Sequence, residues 1–238
     1  MLKTVLFDLD GTLLPMDQDV FVNAYFGSLA KRLAPRGYEP NALVKAIWKC
    51  TMKVITNDGT RTNEQMFWDE FCKIYGEKAR DDIPYFDEYY LTDFAKVQDS
   101  CGFNELAAKT VELLHNNGVR TALATNPIFP KTATYARTRW AGLDPARFDL
   151  ITTYENCGYC KPNPAYYKDI LSRIDRDPSE CIMVGNDYAE DVAPARSLSM
   201  RAFLLTDCAI NKQNADISSI PHGDFNALIA YLTEQISE

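Results

Sequence analysis

The chain has 238 residues, of which 46% are hydrophobic and 24% charged, and it carries a formal net charge of −8. That length and composition suit a soluble globular chain with one large core and a smaller second unit, and they exclude the disordered and low-complexity classes. The acidic balance argues against nucleic acid or an anionic membrane surface as partner, because both select basic patches.

No apolar run approaches the length that spans a bilayer, and the N-terminus enters the first strand without a basic and apolar leader, so the chain reads as cytoplasmic. It carries no signal of oligomeric state. Seven cysteines are an odd number, and reduced thiols are expected. Cys157 and Cys160 have the spacing of a metal or redox pair. A zinc site would need a second ligand pair and a redox pair a helix start, so both read as ordinary thiols.

In the first predicted strand Val5, Leu6 and Phe7 form a continuous apolar run of the kind found in a parallel sheet covered by helices on both faces. It runs into Asp8-Leu9-Asp10-Gly11-Thr12. Side chains alternate along a strand, so Asp8 and Asp10 point the same way at its carboxyl end, where open α/β sheets bind ligands. Two adjacent carboxylates repel, and a hard divalent cation is the simplest positive partner. A calcium loop of the EF-hand type does not fit. It would need another ligand where Thr12 stands and a glycine where Leu13 stands.

Residues 15–100 then show helical spacing, over Asp17–Leu33, Asn41–Ile55, Thr62–Tyr75 and a less regular Tyr85–Val97, punctuated by Pro35, Pro40, Asn57-Asp58-Gly59 and Pro84. The aromatic stretch Tyr85–Phe94 suits either packing within this insert or the wall of a substrate pocket. A helix at Asn104–Asn116 ends at Gly118, and Val119–Ala124 is the next strand. It closes on Thr125-Asn126-Pro127. This is either a helix cap or a hydroxyl that, with free helix N–H groups behind it, holds a phosphate oxygen. Arg147–Tyr154 is a further strand, Lys161-Pro162-Asn163-Pro164 precedes a helix at Ala165–Ile174, and Cys181–Val184 runs into Gly185-Asn186-Asp187-Tyr188-Ala189-Glu190-Asp191. Arg201–Leu205 makes a fifth strand, and Asp224–Ile236 a closing helix.

Asp8-Leu9-Asp10-Gly11-Thr12, Thr125, Lys161-Pro162 and the glycine with spaced acids at 185–191 resemble, in order, the four motifs of the haloacid-dehalogenase-like hydrolase superfamily. The helical insert behind the first motif is similar to the cap of the subclass that includes phosphoglycolate phosphatases and β-phosphoglucomutases. The resemblance covers the whole chain. It implies a Rossmann-like doubly wound parallel sheet core from residues 1–14 and 101–238, with a helical cap at 15–100 that closes over the site and selects the substrate. It also implies a magnesium-dependent phosphomonoester hydrolase acting on a small phosphorylated metabolite. Asp8 would be the nucleophile and Asp10 the general acid and base, with Thr125, Asn126 and Lys161 on the phosphoryl group. The metal would take Asp8, the Asp10 carbonyl and one acid of the fourth motif.

Asn186 departs from the family pattern, since it follows the glycine where many members have aspartate. A carboxylate is the better Mg²⁺ ligand, and Asp191 lies one turn beyond Asp187 on the same helix face. Asp187 is therefore expected to bind the metal directly, with Asp191 behind it and Asn186 as a hydrogen-bonding neighbour. Haloacid dehalogenases lack the second acid that Asp10 supplies, and P-type ATPases carry lysine where Leu9 stands. A phosphomutase would use the same four motifs. A phospho-receiver or an inactive binding module fits less well.

Overall fold

The computed structural model describes residues 1–237, and its centre is a six-stranded, all-parallel sheet in the order β3-β2-β1-β4-β5-β6. The strands are β1 (Thr4–Phe7), β2 (Arg120–Leu123), β3 (Leu150–Ile151), β4 (Cys181–Gly185), β5 (Arg201–Leu205) and β6 (His222–Gly223). Alternation along β1 divides the core. Val5 and Phe7 pack with Val111, Leu114, Phe225 and Leu228, whereas Leu6 packs with Tyr166, Tyr167 and Ile170. Helices α5 (Glu105–Asn116) and α9 (Phe225–Ser237) therefore cover one face, and α7 (Pro164–Ile174) and α8 (Ala193–Ser197) the other. This is a doubly wound Rossmann-like core. The strand order reverses beside β1, with β2 and β3 on one side and β4, β5 and β6 on the other, which makes the carboxyl ends of β1 and β4 the ligand-binding edge.

Between β1 and β2 the chain forms α1 (Gln18–Leu33), α2 (Pro40–Ile55), α3 (Asn63–Tyr75) and α4 (Ile83–Leu91), joined and followed by 3₁₀ turns. Each start is legible in the sequence. Asp17 accepts from the Asp19 and Val20 amides, Glu39 from those of Asn41 and Ala42, and Thr62 with Gln65 closes a capping box. Pro84 sits in the first turn of α4, where its missing N–H costs nothing. The irregular helix expected over Tyr85–Val97 is two elements. Helix α4 stops at Thr92, whose hydroxyl donates back to the Glu88 carbonyl at 2.7 Å, and Asp93–Ser100 continues as 3₁₀ turns.

Three further expectations change. The strand expected over Arg147–Tyr154 shrinks to Leu150–Ile151, because the Thr152 hydroxyl bonds the Thr125 carbonyl at 2.7 Å and turns the chain off the sheet edge. A sixth strand, β6, is added. Helix α6 (Lys131–Trp140) had no counterpart in the sequence reading. No helix among the described residues is long and apolar enough to cross a membrane.

Phe71 anchors the insert. It is fully buried, with ring centroids of Tyr75 at 4.8 Å, Trp68 at 5.5 Å and Phe86 at 5.6 Å. Phe71→Ala should destabilise the protein by about 3–5 kcal/mol, the usual cost of emptying an aromatic site. Urea denaturation checks this, and a loss below about 1 kcal/mol would show that the ring cluster does not hold the insert together.

Candidate active site

The turn after β1 fixes the first two acids. Gly11 adopts φ +85°, its amide donates to the Leu14 carbonyl at 2.8 Å, and the Thr12 and Leu14 amides both return to Leu9. A side chain at Gly11 would strike the Asn186 amide, with 2.3 Å between its Cβ and Nδ2, so glycine there serves packing as well as conformation. Asp8, in line with β1, is buried. The Thr12 hydroxyl lies 3.0 Å from Asp8 Oδ2 and 3.2 Å from Asn186 Oδ1, and its single proton can serve either.

Lys161 is buried on the loop before α7, next to a cis bond to Pro162, and its Nζ donates to Asp8 Oδ1 and Asp191 Oδ1, both at 2.7 Å. Burial opposes its charge, but Asp191 and Asp8 outweigh that and hold the ammonium protonated far above the ordinary lysine range. One cation is thus shared by two carboxylates. Burial pushes the Asp191 carboxyl up to about 7, Lys161 pulling it down and Asp8 pushing it further up. A Cβ at Gly185 would stand 2.1 Å from Asp191 Oδ2, so the end of β4 is glycine because Asp191 lies against it.

Asp10 has a cation of its own, which sequence reasoning missed. Arg137 on α6 is fully buried and donates from Nη1 to Asp10 Oδ2, with its guanidinium 4.3 Å from the centroid of Phe129. Besides the divalent cation expected between them, Asp8 and Asp10 thus each have a side-chain cation. Burial raises the Asp10 carboxyl above its ordinary range, Arg137 pulling it down and Asp8 pushing it up less strongly. An arginine three residues before Trp140 and four after Ala133, on the inner face of α6, is the signal that could have found it.

The remaining predicted residues divide. Thr125 and Asn126 line the cleft, but no helix start follows them. Helix α6 begins only at Lys131, whose amide is taken by the Glu155 carboxylate at 2.8 Å. The Thr125 carbonyl accepts from Thr152 and Tyr166, and Asn126 Nδ2 donates to Glu190 Oε2 at 3.1 Å. Asn186 is buried, with Nδ2 donating to the Cys208 carbonyl at 2.8 Å and Oδ1 on Thr12. Asp187 turns the other way. Its Oδ1 caps the following turn, accepting from the Ala189 amide at 2.8 Å and the Glu190 amide at 3.0 Å. Cys157 and Cys160 are buried free thiols, Cys160 accepting from Asn63 Nδ2.

These side chains open onto a cleft of about 280 Å³, walled on the insert side by Phe21, Val22, Trp48 and Ile55. Its acids Asp8, Asp10, Asp187, Glu190 and Asp191 outnumber the cations, Lys161 and Arg137 behind them and Lys212 at the rim. Two buried acceptors there, Asp10 Oδ1 and Asn126 Oδ1, have no hydrogen-bond donor. Excess negative charge with orphaned oxygen acceptors suits a hard cation. Among the described residues no three His, Cys, Asp or Glu side chains form a ready metal cage, so such a cation would lean on backbone and amide oxygens and keep its own waters.

Replacing Arg137 by methionine leaves Asp10 as an uncompensated buried acid, at an expected cost of about 3–5 kcal/mol. Arg137→Met combined with Asp10→Leu should recover part of that cost. Urea denaturation of both singles and the double gives the coupling, and strict additivity would mean that the pair does not interact.

A family model for haloacid dehalogenase-like hydrolases matches residues 2–198. The ribulose-1,5-bisphosphate 5-phosphatase of Halopiger xanaduensis is 26% identical, over 97% of this chain and 100% of that protein. Pyrophosphatase PpaX of Bacillus pumilus is 25% identical, over 79% of this chain and 76% of its own. Among solved structures, a 2-haloacid dehalogenase from Pseudomonas syringae pv. Tomato superposes with a TM-score of 0.65 at 22% identity, over 99% of this chain and 100% of that one. A predicted phosphoglycolate phosphatase from Haemophilus somnus gives 0.59 at 22% identity, over 98% of each chain. At these identities the structural likeness establishes the fold.

Proposed function

The chain belongs to the haloacid dehalogenase-like hydrolase family, as an enzyme of its phosphatase kind, and we propose that it is a Mg²⁺-dependent phosphomonoester hydrolase working through an aspartyl phosphate on a small phosphorylated metabolite. The observation that carries this reading is Lys161, buried and held at 2.7 Å from both Asp8 and Asp191 where Asp8 opens on the cleft. An ammonium in that position restrains the nucleophile and offers positive charge to an incoming phosphoryl group. The phosphatase relatives, one acting on a bisphosphate by its name and one on pyrophosphate, support the reaction class.

In this mechanism Asp8 attacks phosphorus in line, dividing one displacement into two. Asp10 delivers a proton to the leaving alkoxide and then takes one from the water that releases the intermediate. Its raised carboxyl suits a group that must hold a proton, and Arg137 fixes where that carboxyl stands. Thr125, Asn126 and Lys161 hold the phosphoryl oxygens. Bound Mg²⁺ would neutralise charge on those oxygens, held by Asp8, the Asp10 carbonyl and the fourth motif. In that motif Asn186 rather than Asp187 is the better candidate, since Asn186 Oδ1 already faces the Asp8 loop through Thr12 while an oxygen of Asp187 is committed to capping. Residues 15–100 act as a cap over the core formed by 1–14 and 101–238. The wall that Phe21, Val22, Trp48 and Ile55 give the cleft supports that role.

Asp8→Asn should abolish phosphate release while the protein stays folded, as an amide neither attacks phosphorus nor binds Mg²⁺ well. More than a trace of metal-dependent turnover in that variant sinks the mechanism. Magnesium titration tests the ligand. Asn186→Ala should raise the half-maximal Mg²⁺ concentration by about tenfold or more, and Asp187→Ala by less. The reverse order would return the metal to Asp187.

A further inference from the structure

The catalytic cleft leads into a second cavity. Val22, Trp48, Ile128 and Phe129 line both, and beyond them a space of about 90 Å³ lies between α1, α2, α3, α4 and the loop after β2. Its walls are aliphatic and aromatic, including Phe26, Leu29, Ile47 and Phe67, and it absorbs part of the stretch singled out in the sequence, Phe86 and Tyr90. The phenols of Tyr25 and Tyr90 bond each other at 2.7 Å, which uses one of their two donors, and Trp68 Nε1 in the same wall is a buried donor without a partner, so the polar contacts offered to a guest are few among apolar walls.

Charge points the same way. Among the described residues Asp87 is the one charged residue lining the cavity; burial, and then the neighbouring carboxylate of Glu155, raises its carboxyl above the ordinary range, as burial does for Glu64. In the cleft itself Lys212, exposed at the rim, is the one lysine or arginine among the lining residues. Lys161 and Arg137 lie behind Asp8 and Asp10 and are already paired with them. Among the described lining residues only Lys212 could meet a second phosphate beyond the reacting one, and it stands at the exposed rim.

We propose, resting on the phosphatase reading, that this cavity receives the alcohol portion of the substrate, and that the substrate is a monophosphate ester of a short apolar alcohol rather than a bisphosphate or a sugar phosphate. The cavity sets the size. An apolar cavity of about 150 Å³ holds benzene, so about 90 Å³ admits roughly four carbons on the same scale. Binding there places the ester oxygen toward the cleft, and the phosphate stays with Asp8 and Lys161.

The test is phosphate release from ethyl, propyl, butyl, hexyl and octyl phosphate, with p-nitrophenyl phosphate as generic control and glycerol phosphate and ribulose 1,5-bisphosphate as polar comparators. The expected kcat/KM rises about fourfold per methylene up to roughly butyl and then levels off, with both polar esters about tenfold or more below butyl phosphate. Thr51→Phe, which fills the cavity from α2, should move the optimum to shorter chains. That shift in optimum is a readout that partial misfolding would not mimic. A flat series, a rise that continues to octyl, or ribulose bisphosphate above butyl phosphate overturns the assignment while leaving the phosphatase reading intact. No release from any ester, p-nitrophenyl phosphate included, overturns the phosphatase reading itself.

Discussion

Burying one lysine between two carboxylates is the constraint around which the rest of this structure is arranged. Lys161 reaches Asp8 from the end of β1 and Asp191 from beyond β4, so it joins the two strands that flank the topological reversal. Taking an ammonium out of water is costly, and it is tolerable here because two acids meet it at 2.7 Å. The glycines follow from the same demand. Gly185 lets Asp191 lie against the end of β4, and Gly11 lets Asn186 lie against the first turn. A strand end that is bare of side chains on one side is what allows three charged groups to converge there.

The second pair works differently. Arg137 and Asp10 meet on the insert side of the cleft, and the guanidinium stacks on Phe129 rather than facing open water. An arginine's planar, weakly hydrated head suits that position, where a lysine would lose both the stacking and the fixed direction of its donors. Pairing each acid separately leaves Asp8 and Asp10 in distinct environments. One stands against a shared cation and the other against its own, a separation that suits two carboxyls assigned different tasks.

Much of this was legible in the sequence, and the exceptions share a cause. The core strands β1, β4 and β5 each carry an apolar run of three or four residues, and the helices α1, α2 and α3 announce themselves by side-chain caps. Helix α6 had no such signature. Its buried face is Ala133, Thr134, Arg137, Thr138 and Trp140, which reads as polar, and its cap residue is Pro130, with no side-chain hydrogen bond. The edge strands β3 and β6 are two residues each, too short for any period to show. At the site, residue identity located Asp8, Lys161 and the fourth motif, but not direction. Asn186 and Asp187 are neighbours that leave β4 on opposite errands, one inward to Thr12 and one onto its own backbone, and only the hydrogen bonds distinguish them.

The segment Asn126-Pro127-Ile128-Phe129-Pro130 shows how closely the insert and the core are joined. Asn126 lines the cleft, and the Pro127 carbonyl accepts from Asn63 Nδ2 of α3 at 3.0 Å. Phe129 lies between Arg137 on one side and the rings of Phe21 and Tyr25 on the other, 6.2 and 5.2 Å away. Asn63 is itself fully buried, with its amide on the Cys157 carbonyl at 2.7 Å and its side chain accepting from Asn57. Displacing the insert would break buried polar bonds on the α3 side, at a cost of about 1–3 kcal/mol for each group left unpaired, while the two crossings between insert and core are tied together where the Gly102 amide donates to the Pro15 carbonyl at 2.7 Å. Because Phe129 borders both the cleft and the apolar cavity, this segment joins insert to core at the point where the two spaces meet.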